Sequence, residues 1–254
     1  MRSSPIRLGL IAALLLAAPA LAQEPISDEE LARELLDGTD DMQRGDSSTA
    51  TVTMNVKTAR FSRSISMQSW SKGEEKSLIR ITAPAKEAGV TTLKVGENIW
   101  NYLPKVDRTM KVPAGMMSGS WMGSHFSNDD LVKESRMADD YTYRLTARPD
   151  AAGTGSYVVE CEAKPTAAVV WGKVVVTLRP DRIAEQIQYF DEKGVLIRTM
   201  KFSDLQEIDG RMVATRMMLV PEDKPGEFTE IIYDELSFHA NVPDSMFSLQ
   251  ELKK

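Results

Sequence analysis

Apolar and polar residues alternate with a period of two along most of this chain, which is the pattern of half-buried β-strands. In TVTMNVK, Val52, Met54 and Val56 share one face and polar residues take the other. The same alternation, with β-branched content, runs through FSRSISMQSW, KSLIRITAP, YTYRLTA, SYVVECEA, GKVVVTLRP, IAEQIQYF, GVLIRTMKF, RMVATRMMLV and EFTEIIYDELSF. Turn-forming stretches separate them: SKGEE, RPD, DEKG, EIDG and EDKPG. Asp191–Gly194 and Asp209–Gly210 suit tight hairpins. About ten strands in hairpin succession predict a large curved antiparallel sheet or an open barrel.

Two stretches depart from the period. Residues 27–43 read as a helix with a capping box of Ser27 and Glu30 and a partial apolar stripe of Leu31, Leu35, Leu36 and Met42. Its acids (Asp28, Glu29, Glu30, Glu34, Asp37) form a solvated face. Residues 104–137 carry almost no strand pattern, and SNDDLVKESRM within them predicts a short helix capped by Ser127 or Asn128. One face of a large sheet must be covered, because a bare apolar surface of that size aggregates. Two short helices cannot cover ten strands, so either a cavity remains or the sheet curls shut.

The start of the chain sets the compartment. Arg2 and Arg7 precede an apolar run from Leu8 to Ala18, and APALA ends at Ala22. That is the form of a cleavable secretory leader over residues 1–22, and the run is shorter than the ~20 residues a spanning helix needs. No cysteine follows the run, so a mature chain from Gln23 is expected in the periplasm without lipid attachment. Removing Arg2 and Arg7 from the 31 basic residues leaves 29 against 37 acidic, a net charge of −8. That argues against nucleic acid as a partner and against an electrostatic grip on anionic lipid. Cys161, the single cysteine, reads as a small buried hydrophobe in YVVECEA. The length and the absence of a linker favour one domain over residues 23–254.

Catalytic motifs are missing. The chain has no nucleophile elbow, phosphate loop or dinucleotide fingerprint, and neither His125 nor His239 has the helical spacing of a zinc site. His125 with Asp129 and Asp130 could hold a metal, but a turn with a helix cap explains the same residues, and a structural role is expected of His239. No metal, cofactor or enzymatic activity is expected. The apolar inventory says more. Thirteen methionines follow the initiator, and Met110, Met116, Met117 and Met122 cluster with Trp121 and Phe126 among Gly115, Gly119 and Gly123. Methionine is pliable and suits changing contents, and those glycines favour a flap over a fixed layer. An ordinary core with methionine as gap filler explains the composition without the flap.

ITAPAKEAGVTTLKVGENIWNYLPKVDRTMKVP, followed by SWMGSHFSNDDL, resembles the outer-membrane lipoprotein-sorting family of LolA- and LolB-like proteins. The resemblance rests on Pro84, then Trp100, Tyr102, Leu103 and Pro104, Lys105 and Arg108, the run Met122 to Leu131, and the closing VPDSMFSLQEL. An acidic residue is the commoner one in that family where His125 stands. The resemblance implies a mainly β fold: a curved, unclosed antiparallel half-barrel, with helices plugging a concave apolar face that receives acyl chains. It implies Met54, Trp70, Trp100, Tyr102, Met116, Met117, Trp121, Met122 and Phe126 as lining or lid. Implied partners are an acylated lipoprotein or lipid ligand, an inner-membrane transporter and a transient membrane contact, with the chain a monomer. A docking module for an envelope assembly and an envelope hydrolase are the competing classes.

Overall fold

The computed structural model describes residues 26–42, 45–133, 137–167, 169–238 and 240–254. The leader expected over residues 1–22 and His239 lie outside them.

The first helix, α1 (Asp28–Asp40), begins at the predicted capping box. Glu30 N donates to Ser27 Oγ at 3.2 Å, and Ser27 N donates to the Glu30 carboxylate at 3.0 Å. The helix turns Leu31, Ala32, Leu35 and Leu36 inward. Met42, expected on the same stripe, instead joins a separate small cluster with Ile183, Val213 and Ala214.

Six strands follow: β1 (Ser47–Lys57), β2 (Ser62–Lys72), β3 (Lys76–Ala83), β4 (Thr91–Val95), β5 (Asn98–Leu103) and β6 (Arg108–Lys111). A crossing segment containing α2 (Asp130–Lys133) and α3 (Met137–Asp140) leads to β7 (Tyr141–Ala147) and β8 (Tyr157–Ala163). Then come β9 (Lys173–Leu178), β10 (Ala184–Phe190), β11 (Leu196–Ile208), β12 (Arg211–Pro221) and β13 (Phe228–Ser237). Among the described residues these thirteen strands make one sheet, ordered β6-β5-β4-β3-β2-β1-β13-β12-β11-β10-β9-β8-β7. Two antiparallel meanders are thus zipped together by β1 and β13 in the middle, and β6 and β7 remain as the outer edges. Both expected hairpins form: Asp209 and Gly210 take positive φ between paired Ile208 and Arg211, and the Asp191 carboxylate accepts from the amides of Lys193 and Val195.

The strand count exceeds the expected ten because β4, β5 and β6 do not alternate cleanly. In β4, Thr91, Thr92, Leu93 and Lys94 are all buried; a strand covered on both faces loses the period-two pattern. β6 lies within residues 104–137, where no strand was expected, and is a short, mostly exposed edge.

Lys94 of β4 and Ile187 of β10 line one cavity, although seven strand steps separate them in the sheet order. In a flat sheet that is roughly 34 Å, at about 4.8 Å per strand. The sheet therefore curls into an unclosed barrel, with register shifts in β1, β2, β7 and β10 adding local bend. The face turned inward carries the main apolar core, to which Val52, Met54, Met67, Cys161, Val176 and Met200 belong. On the outer face a second core forms where Val242, Phe247 and Leu252 of the C-terminal segment pack over Leu78, Leu93 and Tyr102.

Candidate functional site

The inner face is closed by α1 and by residues 115–131, the glycine- and methionine-rich stretch. Trp121 and Phe126 are buried in the main core and Met122 packs against it. Discrete polar contacts then pin this plug to strands all around the barrel. Arg63 of β2 donates to the Met122 carbonyl and, at 3.1 Å, to Glu87. Trp121 Nε1 donates to Thr92 Oγ1 of β4 at 3.2 Å. The His125 amide donates to Thr229 Oγ1 of β13 at 3.0 Å, and the two ring nitrogens lie 2.8 Å from Thr229 Oγ1 and 3.0 Å from Glu227 Oε2. The Glu227 carboxylate can only accept, so Nε2–H donates to it; in the corresponding neutral tautomer Nδ1 accepts from the Thr229 hydroxyl. That bond from His125 is the leading reason the Glu227 carboxyl is held below its ordinary value.

The deepest pin is an ion pair. Arg198 of β11 donates through both terminal nitrogens to the Asp130 carboxylate, at 2.8 and 2.5 Å. Its guanidinium also lies 4.4 Å from the Trp171 ring and 4.3 Å from the Tyr189 ring. The Tyr141 hydroxyl nearby donates to the Trp171 carbonyl, and burial pushes its phenol above the ordinary range. Ser127 caps α2 as expected, with the Asp130 amide donating to Ser127 Oγ and the Ser127 amide returning to Asp130 Oδ2. Asn128, the other candidate cap, donates instead to the carbonyls of Met116 and Gly119, which folds the plug back on itself.

Of the nine residues expected to form lining or lid, the structure brings four together: Met54, Trp121 and Phe126 in the inner core, with Met122 against it. Met117 is half-buried, and Met116 projects outward at 62% exposure. Trp70, Trp100 and Tyr102 belong to the outer core under the C-terminal segment. Period two explains their placement: Ser69 and Ser71 flank Trp70 and line the inner cavity, so Trp70 points the other way. The polar pins escaped the sequence reading, although Arg198 stands in the same inward register as Met200 and Phe202, where a lone charge is a signal. His125, Asp129 and Asp130 do not gather: among the described residues no three His, Cys, Asp or Glu side chains form a metal site.

A family model described as "Uncharacterized protein" matches residues 73–254. The chain belongs to that family. A search of curated proteins finds no match. Among solved structures, a DUF1329 family protein from Desulfovibrio piger aligns with a TM-score of 0.78 at 23% identity, covering 89% of this chain and 100% of that one. A protein domain from Vibrio parahaemolyticus named for outer membrane lipoprotein sorting aligns with a TM-score of 0.73 at 24% identity, covering 87% and 97%. A LolA superfamily protein from Nitrosomonas europaea aligns with a TM-score of 0.71 at 23% identity, covering 87% and 98%. The fold is therefore the LolA-like half-barrel that the motifs implied. No helix among the described residues is long and apolar enough to cross a membrane.

Proposed function

We propose that the chain is a periplasmic, non-catalytic carrier or acceptor of acylated molecules, lipids or lipoproteins, and that acyl chains enter the inner face when the plug lifts. The observation that carries this reading is the way the inner face is closed. A continuous apolar core is covered by a separate crossing segment, and that segment is fastened by individual polar contacts to β2, β4, β11 and β13. The cavity left in this closed state is about 200 Å³, below the roughly 300–1,000 Å³ of ordinary small-molecule sites. Loading then requires displacement of Trp121 and Phe126. Each such side chain is worth roughly 1.5–3 kcal/mol of burial, whereas a sixteen-carbon chain gains about 12 kcal/mol at ~0.8 per methylene. A ligand with two or three chains can open the plug and still be held. An inner-membrane transporter fits as donor.

A docking module that carries no lipid is the second reading, favoured by the outward exposure of Val106, Met110 and Met116 along the β5–β6 hairpin and the start of the plug. Native mass spectrometry of the protein purified from its own periplasm, followed by organic extraction, separates the two. A stoichiometric acylated ligand supports carriage. A clean apo mass with no uptake of added lipid or lipopeptide sinks it in favour of docking.

A further inference from the structure

The net charge counts against a grip on anionic lipid, but the charge is not spread evenly over the barrel. The antiparallel order puts the turns after β1, β3 and β5 at one end of the first meander, and the turns after β2 and β4 at the other. The first set, with the strand residues beside it, covers residues 57–63, 84–90 and 104–108. It holds Lys57, Arg60, Arg63, Lys86, Lys105 and Arg108 against Glu87 and Asp107. The second set, residues 73–75 and 96–97, holds Glu74, Glu75 and Glu97 and no basic residue. The acidic face of α1 lies toward that second end, where Glu34 and Asp28 pair with Arg182 and Arg148 of the β9–β10 and β7–β8 turns.

Both acids of the basic rim are engaged. Glu87 lies 3.1 Å from Arg63 and 3.8 Å from Lys86. Asp107 accepts from the Tyr102 hydroxyl at 3.2 Å and lies 3.7 Å from Lys253. Lys57, Arg60, Lys105 and Arg108 are exposed. Two apolar side chains stand among them in the turns, Phe61 at 44% and Val106 at 66% exposure. The β1–β2 and β5–β6 turns are four strand steps apart in the sheet order, roughly 19 Å at about 4.8 Å per strand. The basic stretch stops at the second meander. There the turns at 191–195 and 222–227 carry Asp191, Glu192, Glu222, Asp223 and Glu227 against Lys193 and Lys224.

A solvated rim explains scattered charges, and a lone exposed apolar residue needs no explanation. Neither explains why cations gather at one end of one meander in a chain of net negative charge, around two apolar turn residues. A protein partner would need a matched surface to receive two such separated tips. A bilayer needs no matching shape: its headgroups are fluid, its phosphates meet lysine and arginine, and apolar tips reach the acyl boundary beneath them. The plug opens to the same end, since Arg63 of this rim holds the Met122 carbonyl.

We infer that the rim formed by the β1–β2, β3–β4 and β5–β6 turns docks on an anionic lipid bilayer, with Phe61 and Val106 entering the headgroup layer. This deepens the carrier reading, because docking brings the plugged end of the barrel to the membrane, and it is tested apart from that reading.

The test is flotation of the secreted chain with vesicles of phosphatidylethanolamine and phosphatidylglycerol, against vesicles of phosphatidylethanolamine and phosphatidylcholine, at low and high salt. Wild type is expected to float with the anionic vesicles and to be released by salt. Each basic residue near an anionic surface adds about fivefold to partitioning, so Lys105→Gln/Arg108→Gln should weaken binding about twenty-five-fold. Phe61→Ser/Val106→Ser should weaken it severalfold with no change in its salt dependence. All four side chains are exposed, so these variants should keep the wild-type melting temperature. Lys193→Gln/Lys224→Gln removes the same charge from the other side of the rim and should leave binding within about twofold of wild type. Equal loss in that control makes the attraction diffuse and overturns the surface, as does equal flotation with both vesicle types. Unchanged binding of Phe61→Ser/Val106→Ser overturns the inserted pose. Absence of flotation, with self-association that Lys105→Gln/Arg108→Gln abolishes, overturns the bilayer in favour of a second copy, whose acidic end would meet the rim. Flotation as expected with no acylated ligand in the native mass keeps the surface and overturns carriage; a bound ligand without flotation does the reverse.

Discussion

Replacing Asp130 by Asn leaves the shape of the plug and removes the charge that Arg198 holds. The two side chains are 7% and 9% exposed, which puts the pair in the buried regime, where losing one partner costs about 3–5 kcal/mol. An exposed pair would cost no more than ~1 kcal/mol. The large figure applies because Arg198 is buried against the rings of Trp171 and Tyr189 and keeps its full charge. At 2–4 °C per kcal/mol for a domain of this size, the melting temperature should fall by roughly 6–20 °C. If the plug opens before the barrel unfolds, the loss shows first as local exchange. Amides of residues 121–131 should then exchange about a hundredfold faster or more, at tenfold per 1.4 kcal/mol. Calorimetry and hydrogen exchange of wild type and Asp130→Asn measure both. Asp130→Leu combined with Arg198→Met should recover most of the stability, since apolar replacement of both partners removes the stranded charge. A loss below about 1 kcal/mol with unchanged exchange over the plug would refute the claim that this ion pair holds it.

Other contacts make smaller, separable predictions. Glu227 has a carboxyl held below its ordinary value of 4.5, so its contribution is present above that pH and lost as acid protonates it. The difference in melting temperature between wild type and Glu227→Gln should accordingly be full above pH 4.5 and shrink as the pH is lowered through the depressed value. Leu252 is fully buried in the outer core, and Leu252→Ala should cost about 2–5 kcal/mol by urea denaturation. Gly210 sits at φ +79° in the β11–β12 hairpin, and Gly210→Ala should cost about 1–2 kcal/mol in the same assay. The Cys161 thiol is fully buried on the inner face, so it should react with an aromatic disulfide reagent only after denaturation.

The legible part of the fold was the part with one wet face. Wherever a strand has solvent on one side and core on the other, as in β1 with its strict alternation of half-buried and buried residues, the period announces it. β4 was missed because the plug lies over one face and the C-terminal segment over the other, and neither covering is local to it. The plug itself was legible as an anomaly, since an apolar, glycine-broken run between strands has to lie against something. Its fastening was not legible, because Arg63, Thr92, Arg198 and Thr229 come from four strands far apart in the chain.

Composition, period and turn chemistry by themselves determined an antiparallel β protein with one capped helix, its hairpins, and an irregular apolar stretch set among them. Those are properties of neighbouring residues, which interact at any stage of folding. Tertiary structure alone decided which face each aromatic residue serves. Trp70 and Trp121 each follow a serine in the chain, yet one packs in the outer core and the other plugs the barrel. The cause is closure of the two meanders along β1 and β13: curling chooses an inside, and only then does the alternation acquire a direction.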